Sequence, residues 1–287
     1  MPIFVSILIA IIIFVILLDR FIARMYRNPQ KSHQATPTKY NIAYEEICIP
    51  LLNRSQLYGW WISASPNAPT VILVHGWGRN LSRMLQYIVH LYPLGYNLLA
   101  FDARNHGSSS PEKHPTVGTF TEDVLSAINF IAESGLVSSS KFGIIGLSIG
   151  GGAAINAASS DKRVKGVITV GALSHPMDVM ELEFQKRNIP NFIPQWLFRY
   201  IKLRFGIDFN RIAPVNNILH ANADILLIHG SEDTTIPLVQ GQMLEKAGNF
   251  EKIRLWVVPG KGHSDCETHP EFWDKVEAFL QMAIPVS

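Results

Sequence analysis

The sequence predicts an α/β protein with a mostly parallel central sheet and helices on both faces of that sheet. Short apolar runs, of the kind that form buried strands, alternate with longer stretches of helical periodicity. Strands separated by helices form βαβ units, and the strands of such units are parallel. The chain has 287 residues, of which 47% are hydrophobic and 17% are charged, so one ordinary domain with some extra apolar material is expected.

The extra apolar material is concentrated at the start of the chain. Residues 2–18 are almost wholly apolar, and a helix of roughly 17–22 such residues can cross a bilayer, so residues 1–24 are predicted to be a transmembrane anchor. A cleaved signal peptide would need a charged n-region and a small-residue cleavage site, and neither pattern is present. A buried core helix is disfavoured because the stretch is apolar on all sides and lies outside the globular domain.

Positive charges after this helix predict its orientation. They are Arg20, Arg24, Arg27 and Lys31. By the positive-inside rule, the remainder of the chain is expected to be cytoplasmic, on a single-pass membrane protein. Residues 25–40 are polar and contain prolines, which predicts a linker before the globular domain at residues 41–287.

The globular domain is predicted to open with a hairpin and to continue as alternating strands and helices. The hairpin strands are expected at residues 46–51 and 57–62, with a turn-type cluster between them. Further strands are expected at residues 69–74, 96–101, 141–145, 167–170, 225–228 and 253–258. Helices are expected at residues 81–94, 119–134, 151–158, 237–247 and 270–282. Residues 172–217 interrupt this alternation with an insertion rich in Met, Phe and Pro.

Charge and cysteine content argue against several classes of function. A formal net charge of +2 gives no basis for a nucleic-acid partner. The two cysteines, Cys48 and Cys266, lie in no C-x-x-C pattern and near no pair of histidines, so no metal site is predicted. Cys266 lies close to His263, which suggests a thiol nucleophile, but nothing else in the sequence supports that role. The sequence carries no indication of the oligomeric state.

Ser148 is the predicted nucleophile. It stands in Gly146-Leu147-Ser148-Ile149-Gly150, between a buried strand and a helix of small residues. This is the G-x-S-x-G elbow, in which a tight strand-to-helix turn exposes the serine hydroxyl. Unpaired N–H groups and the helix dipole favour developing negative charge at that end of the helix. A glycine-rich turn without chemistry is the alternative, and the strand–turn–helix context favours the nucleophile.

His263 and Asp233 are the predicted base and acid. A serine hydroxyl needs an adjacent base, usually histidine, and His263 follows a buried strand, at the edge where open α/β sheets place their ligands. His269 is a nearby competitor but precedes a proline at the start of a helix. Asp233 also follows a buried strand, with Glu232 as the alternative acid. The order serine, aspartate, histidine is one in which such triads occur.

The oxyanion hole is predicted to consist of two backbone N–H groups, those of Ile149 and Trp77. Trp77 follows His75 and Gly76 in the loop after the first parallel strand, and these three residues are the candidate substrate-binding residues. Gly76 and Gly78 give this backbone the freedom to turn an N–H group inward.

Residues 40–287 resemble an α/β-hydrolase, of the serine-hydrolase branch that includes bacterial esterases, monoacylglycerol-lipase-like enzymes and serine aminopeptidase-like enzymes. Five motifs carry the resemblance: His75-Gly76-Trp77-Gly78, Asp102-Ala103-Arg104-Asn105-His106-Gly107-Ser108, Gly146-Leu147-Ser148-Ile149-Gly150, His229-Gly230-Ser231-Glu232-Asp233-Thr234-Thr235-Ile236-Pro237 and Gly260-Lys261-Gly262-His263. Asn105 departs from the family, which often has glycine there, and His106 is expected to be a structural or pocket-rim residue.

The resemblance implies an α/β-hydrolase fold and a serine hydrolase that cleaves carboxylic esters (EC 3.1.1) through an acyl-enzyme. No cofactor or metal is implied, and the expected partner is a small acyl substrate. Peptidase, amidase, thioesterase and acyltransferase activities use the same triad and remain open. A non-catalytic, membrane-anchored binding module is the alternative from a different class, although the intact triad argues against it.

The resemblance also assigns residues 172–217 to a helical lid over the nucleophile. Six apolar residues of this insertion can share one helical face, namely Trp196, Leu197, Tyr200, Ile201, Leu203 and Phe205, with Gln195, Arg199 and Lys202 opposite. This face is expected to pack on the core of the protein. The alternative is that the helix lies at the membrane surface and admits lipid-like acyl substrates.

Overall fold

The computed structural model describes residues 2–286 and has an eight-stranded sheet at its centre. The strands are β1 (Glu45–Pro50), β2 (Gln56–Ile62), β3 (Thr70–Val74), β4 (Asn97–Phe101), β5 (Phe142–Leu147), β6 (Val164–Val170), β7 (Asp224–Gly230) and β8 (Ile253–Val258). Their order in the sheet is β1-β2-β4-β3-β5-β6-β7-β8, and only the pairs β1–β2 and β2–β4 are antiparallel. The predicted α/β class, with a mostly parallel sheet, is therefore confirmed.

The helices precede, flank and interrupt this sheet. They are α1 (Pro2–Met25), α2 (Leu85–Leu91), α3 (Val117–Glu133), α4 (Ile149–Ser160), α5 (Pro176–Gln185), α6 (Phe192–Phe205), α7 (Phe209–Ile212), α8 (Pro214–Asn217), α9 (Leu238–Ala247) and α10 (Phe272–Ala283). Helices α5 to α8 form the insertion between β6 and β7, which we call the cap.

Two hydrophobic layers cover the two faces of the sheet. On one face, Phe120 of α3, Ala154 of α4 and Leu244 of α9 are buried in a common cluster. On the other face, Tyr87 of α2 and Phe272 of α10 belong to a second cluster. The predicted helices on both faces are therefore present, because each helix buries its apolar side against the strands.

The helix predicted at residues 81–94 is broken into three pieces. A 3₁₀ turn at Leu81–Met84 precedes α2, and a second 3₁₀ turn at Tyr92–Leu94 follows it. Pro93, inside this last turn, has no N–H to donate to a continuing helix. Gly95 then adopts a φ of 82°, a left-handed conformation that ends helical turns.

The sheet order places two loops side by side at the edge where ligands bind in open α/β sheets. Strand β3 lies between β4 and β5, so the loop after β3 and the turn after β5 meet at the carboxyl ends of their strands. The first of these loops begins with His75 and the second turn contains Ser148. The fold therefore brings the predicted oxyanion loop to the predicted nucleophile.

The cap has its own hydrophobic cluster, which it shares with α1. Leu197, Phe198 and Ile201 of α6 are buried there together with Ile22 and Tyr26 of α1. The buried side of α6 therefore packs on the carboxyl-terminal half of α1 as well as on the rest of the cap.

Two residues of the predicted apolar face of α6 are exposed, and one of them is Trp196, which is 48% exposed. The side chain of Leu203 is 82% exposed. The prediction for Leu203 was wrong because Phe198, at a different angle around the helix, occupies the buried side.

The segment after α1 is packed against the domain along part of its length. Residues 28–33, which we call the strap, lie on the loops that follow β3 and β4. The Lys31 ammonium donates to the Gly78 carbonyl over 2.8 Å, and His33 Nε2 lies 2.7 Å from Asp102 Oδ2. Asn80 Nδ2 in turn donates to the carbonyl of Lys31. Residues 25–40 connect α1 to the domain, but the strap within them is not a free linker.

The substitution Gly150→Ala tests whether α4 packs closely on β3 and the loop that follows it. A Cβ atom there would lie 2.6 Å from the His75 carbonyl oxygen, so Gly150→Ala should force the helix away from the strand. We expect a net loss of about 1–3 kcal/mol in the free energy of unfolding, although alanine favours a helix by about 1 kcal/mol. Denaturant titration of the detergent-solubilised protein measures this loss. Gly262→Ala is the control, because among the described residues, apart from its chain neighbours, its added Cβ would meet no atom closer than 3.6 Å. Equal losses in both variants would contradict the close-packing argument.

Candidate active site

Ser148 lies at a strained turn between β5 and α4. Its backbone has φ 55° and ψ −120°, a combination that non-glycine residues rarely adopt. Its N–H donates to the Val170 carbonyl of the neighbouring strand over 2.9 Å, and its carbonyl accepts from Gly151 and Gly152. These bonds hold the strained conformation and leave the side chain half-buried at the start of the helix. Such strain is characteristic of functional sites.

The glycines of the elbow are required by the space around them. A Cβ atom on Gly146 would lie 2.3 Å from the carbonyl oxygen of Gly150. A Cβ atom on Gly150 would collide with the backbone of the loop after β3, as its distance to the His75 carbonyl shows. The G-x-S-x-G spacing therefore reflects the tight contact of β5, α4 and β3.

Asp233 and His263 are brought together from the ends of β7 and β8. His263 Nδ1 lies 2.7 Å from Asp233 Oδ2, and the aspartate side chain is fully buried. The other carboxylate oxygen, Oδ1, accepts from the N–H groups of Thr235 and Ile236. The acid is therefore held by its own loop, while no group among residues 2–286 bonds to His263 Nε2.

Gly171 lies between the Asp233–His263 pair and the turn that carries Ser148. It follows Val170, the residue that accepts from the Ser148 N–H. A Cβ atom on Gly171 would lie 3.0 Å from His263 Nδ1 and 3.3 Å from Asp233 Oδ2. Gly171, with φ 62°, therefore leaves room for the imidazole beside the elbow. The sequence analysis did not single out Gly171. In the described part of the chain, no hydrogen bond joins the Ser148 hydroxyl to His263.

Two backbone N–H groups beside Ser148 are available to a ligand. Within residues 2–286, no protein group accepts from the N–H of Ile149 or from that of Trp77. A Cβ atom on Gly76 would lie 3.3 Å from Ser148 Cβ, so the loop that carries Trp77 is in contact with the nucleophile. Paired, unsatisfied donors at this position can stabilise an oxyanion.

His75, a candidate substrate-binding residue, is fully buried beneath this loop. Its Nδ1 donates to the carbonyl of Gly76, and its Nε2 accepts from the N–H of Ala103. Burial lowers the pKa of His75, which keeps the imidazole neutral in this arrangement. The side chain therefore has no free polar atom for a substrate and acts by positioning the loop.

His106 supports the same loop from the other side. Its Nδ1 donates to the carbonyl of Arg104, and its Nε2 accepts from the N–H of Gly78. Burial, with a smaller contribution from His75, lowers its pKa from 6.5 to about 4. The exposed Trp77 ring meets the His106 ring edge to face, with the centroids 5.4 Å apart. His106 is thus a structural residue.

Asp102 joins the strap to these loops. Its carboxylate accepts from the N–H groups of Leu81 and Ser108 and bonds to His33. Burial raises its pKa, but the bond to His33 and the bonds from the N–H groups of Leu81 and Ser108 outweigh this and hold the pKa below its usual range. The sequence analysis missed His33, because its partner lies 69 positions away and no local pattern marks it.

His229 lies in one of the five sequence motifs, but the sequence analysis gave it no role. Its Nε2 donates to the carbonyl of Ile236, and the ring lies against Gly241. The same nitrogen is 3.6 Å from Asp233 Oδ2. Because burial lowers the pKa of His229, a neutral ring braces the loop that carries Asp233.

Cys266 does not have the environment of a nucleophile. Burial raises the pKa of its thiol to about 12, and its Sγ faces the carbonyl of Gly262. A reactive cysteine needs a lowered pKa. Among residues 2–286, no group of three His, Cys, Asp or Glu side chains is placed to hold a metal ion.

The burial of His106 predicts that the protein becomes less stable as the pH falls. Its pKa lies near 6.5 when unfolded and about 4 when folded, so the unfolded chain binds more protons between these values. The free energy of unfolding should therefore fall by about 3 kcal/mol, for this group alone, as the pH drops through that window. Denaturant titrations across the window should show a smaller fall for His106→Gln than for the wild type. Parallel curves for the two proteins would contradict the role given to His106.

Comparison with known proteins places this site in a family. The family model for the alpha/beta hydrolase fold matches residues 69–212, which is half of the chain and includes the Ser148 elbow. The esterase Pf2001 of Pyrococcus furiosus superposes with a TM-score of 0.73 at 22% identity, over 90% of this chain and 97% of that one. This likeness shows the fold.

Curated relatives cover different shares of the chain. The uncharacterized protein YfhR of Salmonella typhimurium is 26% identical over 91% of this chain and 87% of its own length. Thiohydrolase aneE of Aspergillus aculeatus is also 26% identical, over 53% of this chain and 47% of its own length. The chain therefore spans about half the length of that thiohydrolase. With its sheet order, its elbow and the family match, the chain belongs to the alpha/beta hydrolase fold family, and hydrolase is the class of activity that this membership supports.

Proposed function

We propose that the protein is a serine hydrolase that cleaves carboxylic esters with Ser148, His263 and Asp233. The observation that carries the proposal is the 2.7 Å contact between His263 Nδ1 and Asp233 Oδ2. It leaves His263 Nε2 without a protein partner in residues 2–286, beside the strained elbow that presents the serine. This arrangement supports acyl transfer with Ser148 as nucleophile, His263 as base and Asp233 as acid.

In the acylation step, the Ser148 oxygen attacks the ester carbonyl while His263 Nε2 takes the hydroxyl proton. Asp233 holds the imidazole with its proton on Nδ1 and stabilises the imidazolium that forms. The N–H groups of Ile149 and Trp77 bind the oxyanion of the tetrahedral intermediate. The intermediate collapses as His263 donates its proton to the departing alcohol.

In the deacylation step, water replaces the alcohol. His263 removes a proton from this water as its oxygen attacks the acyl group on Ser148. Collapse of the second intermediate returns the proton to the serine oxygen and releases the carboxylic acid. Each step uses side chains and backbone donors of this chain only.

Thioester hydrolysis is the second candidate activity, favoured by the name of the Aspergillus relative. The triad attacks either carbonyl in the same way, so the acyl pocket and the leaving group decide the preference. Rates on matched oxyesters, thioesters and aminoacyl amides of one acyl chain separate these activities.

We also propose that α1 anchors the enzyme in a membrane, with the catalytic domain on the cytoplasmic side. An 18-residue window within Ile3–Met25 has a mean hydropathy of 2.8, and the cations Arg20, Arg24 and Arg27 follow the apolar part of the helix. A cleaved signal sequence is the competing interpretation. The contacts of Asp19 with Tyr200 and Arg204 support a retained helix, because cleavage after α1 would remove them.

Ser148→Ala tests the nucleophile. The smaller side chain keeps a Cβ atom, so the elbow should fold, while hydrolysis of a p-nitrophenyl ester and labelling by a fluorophosphonate should both be lost. Ser160→Ala, at the far end of α4, is the matched control and should keep both. Circular dichroism checks the fold of both variants. Undiminished ester hydrolysis by Ser148→Ala would refute the assignment, and a wild type that resists the fluorophosphonate would favour a binding module.

Asp233→Asn and Glu232→Gln together test which of the two neighbouring acids orients His263. The amide cannot stabilise the imidazolium and favours the wrong tautomer, so kcat should fall by about 10³–10⁴-fold. Glu232→Gln changes the alternative acid in the same way and should retain near-normal kcat. Steady-state rates on one soluble ester measure both. If Glu232→Gln had the larger effect, the acid would be misassigned.

A further inference from the structure

Helices α1 and α6 run side by side in the same direction. Near its start, α6 meets α1 through Trp196, whose ring centroid lies 6.2 Å from that of Phe14. One turn further along, the Tyr200 hydroxyl donates to Asp19 over 2.6 Å, and Arg204 also bonds to this carboxylate. Position 14 on α1 thus pairs with 196 on α6, and position 19 pairs with 200 and 204.

These contacts fix how deep the start of α6 lies relative to α1. Phe14 is five residues before Asp19, so it is about 7.5 Å further into the apolar stretch at 1.5 Å per residue. Trp196 must therefore lie at the level of the apolar part of α1. Phe192 precedes Trp196 by four residues on the same side of α6, which places it about one turn deeper.

The residues at this end of α6 are apolar and uncovered. Phe192 is 71% exposed, Ile193 is 39% exposed and Trp196 is 48% exposed. Together we call these three the apolar end of α6. Along the stripe that faces α1, the side chains change from phenylalanine and tryptophan to tyrosine and then to arginine, at positions 192, 196, 200 and 204. This is the order of side chains found from the hydrocarbon layer outward to the headgroups.

Cations surround the opposite end of this stripe. Arg20 and Arg24 of α1 and Arg199 of α6 are exposed, and no ion pair joins any of them to another residue within 2–286. Anionic headgroups attract such charges at the membrane surface. The charges therefore match the polarity gradient along the two helices.

We propose that the apolar end of α6 is immersed in the lipid bilayer beside α1, so that the cap is a membrane-binding surface. The proposal rests on the proposed anchoring of α1, which defines the depth. Its occupant is lipid, because the apolar end continues the uncovered surface of a helix whose apolar stretch is not buried in the protein.

Depth-dependent quenching tests the proposal in the full chain. A fluorophore is attached to Phe192→Cys, Leu203→Cys or Phe250→Cys in a Cys48→Ser background, since Cys266 is buried. Phe250 is 82% exposed in the turn before β8, outside the cap, and is the matched control. Each protein is reconstituted in phosphatidylcholine vesicles that contain phosphatidylglycerol. The quenchers are lipids with a nitroxide on the acyl chain or on the headgroup, and aqueous iodide.

We expect the label at position 192 to be quenched by acyl-chain nitroxides and protected from iodide. Leu203 lies near Arg204, so the label at position 203 should respond most to headgroup nitroxides. The label at position 250 should respond to iodide alone. Iodide quenching at position 192 equal to that at position 250 would overturn the proposal, and so would protection from iodide without quenching by any lipid, which indicates contact with a second protein copy.

Two further readouts separate failures of the proposals from one another. If α1 does not anchor the chain, the wild type will not remain bound to the vesicles. The proposal of a membrane-binding surface on the cap then fails as well. If α1 anchors the chain but iodide quenches the label at position 192 as strongly as the label at position 250, the anchor stands and the immersed cap is wrong. Hydrolysis of a soluble short-chain ester, unchanged by the label at position 192, reports the triad independently of membrane depth.

Discussion

The contact between the Ser148 turn and strand β3 is the constraint on which the site depends. Helix α4 approaches so closely that a single added carbon at Gly150 would strike the carbonyl of His75. This approach holds the serine in its strained conformation, with φ 55° and ψ −120°, and brings the loop that carries the Trp77 N–H beside it. The first turn of α4 and the loop after β3 are therefore in close contact, and the geometry proposed for acyl transfer depends on their packing.

Neutral histidines hold the loops around that unit. His75, His106 and His229 each bond to backbone groups from a buried ring, and burial lowers the pKa of all three. An uncharged imidazole can donate at one nitrogen and accept at the other, so His75 and His106 each join two segments of irregular backbone without burying a charge. His229 donates through Nε2 from a buried ring. Within residues 2–286, His263 bonds through Nδ1 alone, and its side chain is 19% exposed, which distinguishes the proposed base from the buried histidines.

The amino-terminal part of the chain takes part in the same architecture. The strap ties the loops after β3 and β4 together through Lys31 and His33, and α1 shares a hydrophobic cluster with the cap. The helix proposed as a membrane anchor is thus in contact with the cap, and the segment that follows it is in contact with the loop that carries Trp77. Helix α1, the cap and the loop that carries Trp77 are therefore connected through these contacts.

The sequence alone determined the eight strands, the elbow at Ser148 and the candidate positions of Asp233 and His263, because buried strands and tight turns have local patterns. It did not determine that the helix at 81–94 breaks, that His75 is closed to substrate, or that Leu203 is exposed. Nor could it show that His33 reaches Asp102, or that Asp19 meets Tyr200 at a separation of 181 positions. Periodicity reports which side of an element is apolar, whereas contacts between distant segments depend on how the elements pack, and only the tertiary structure decides that.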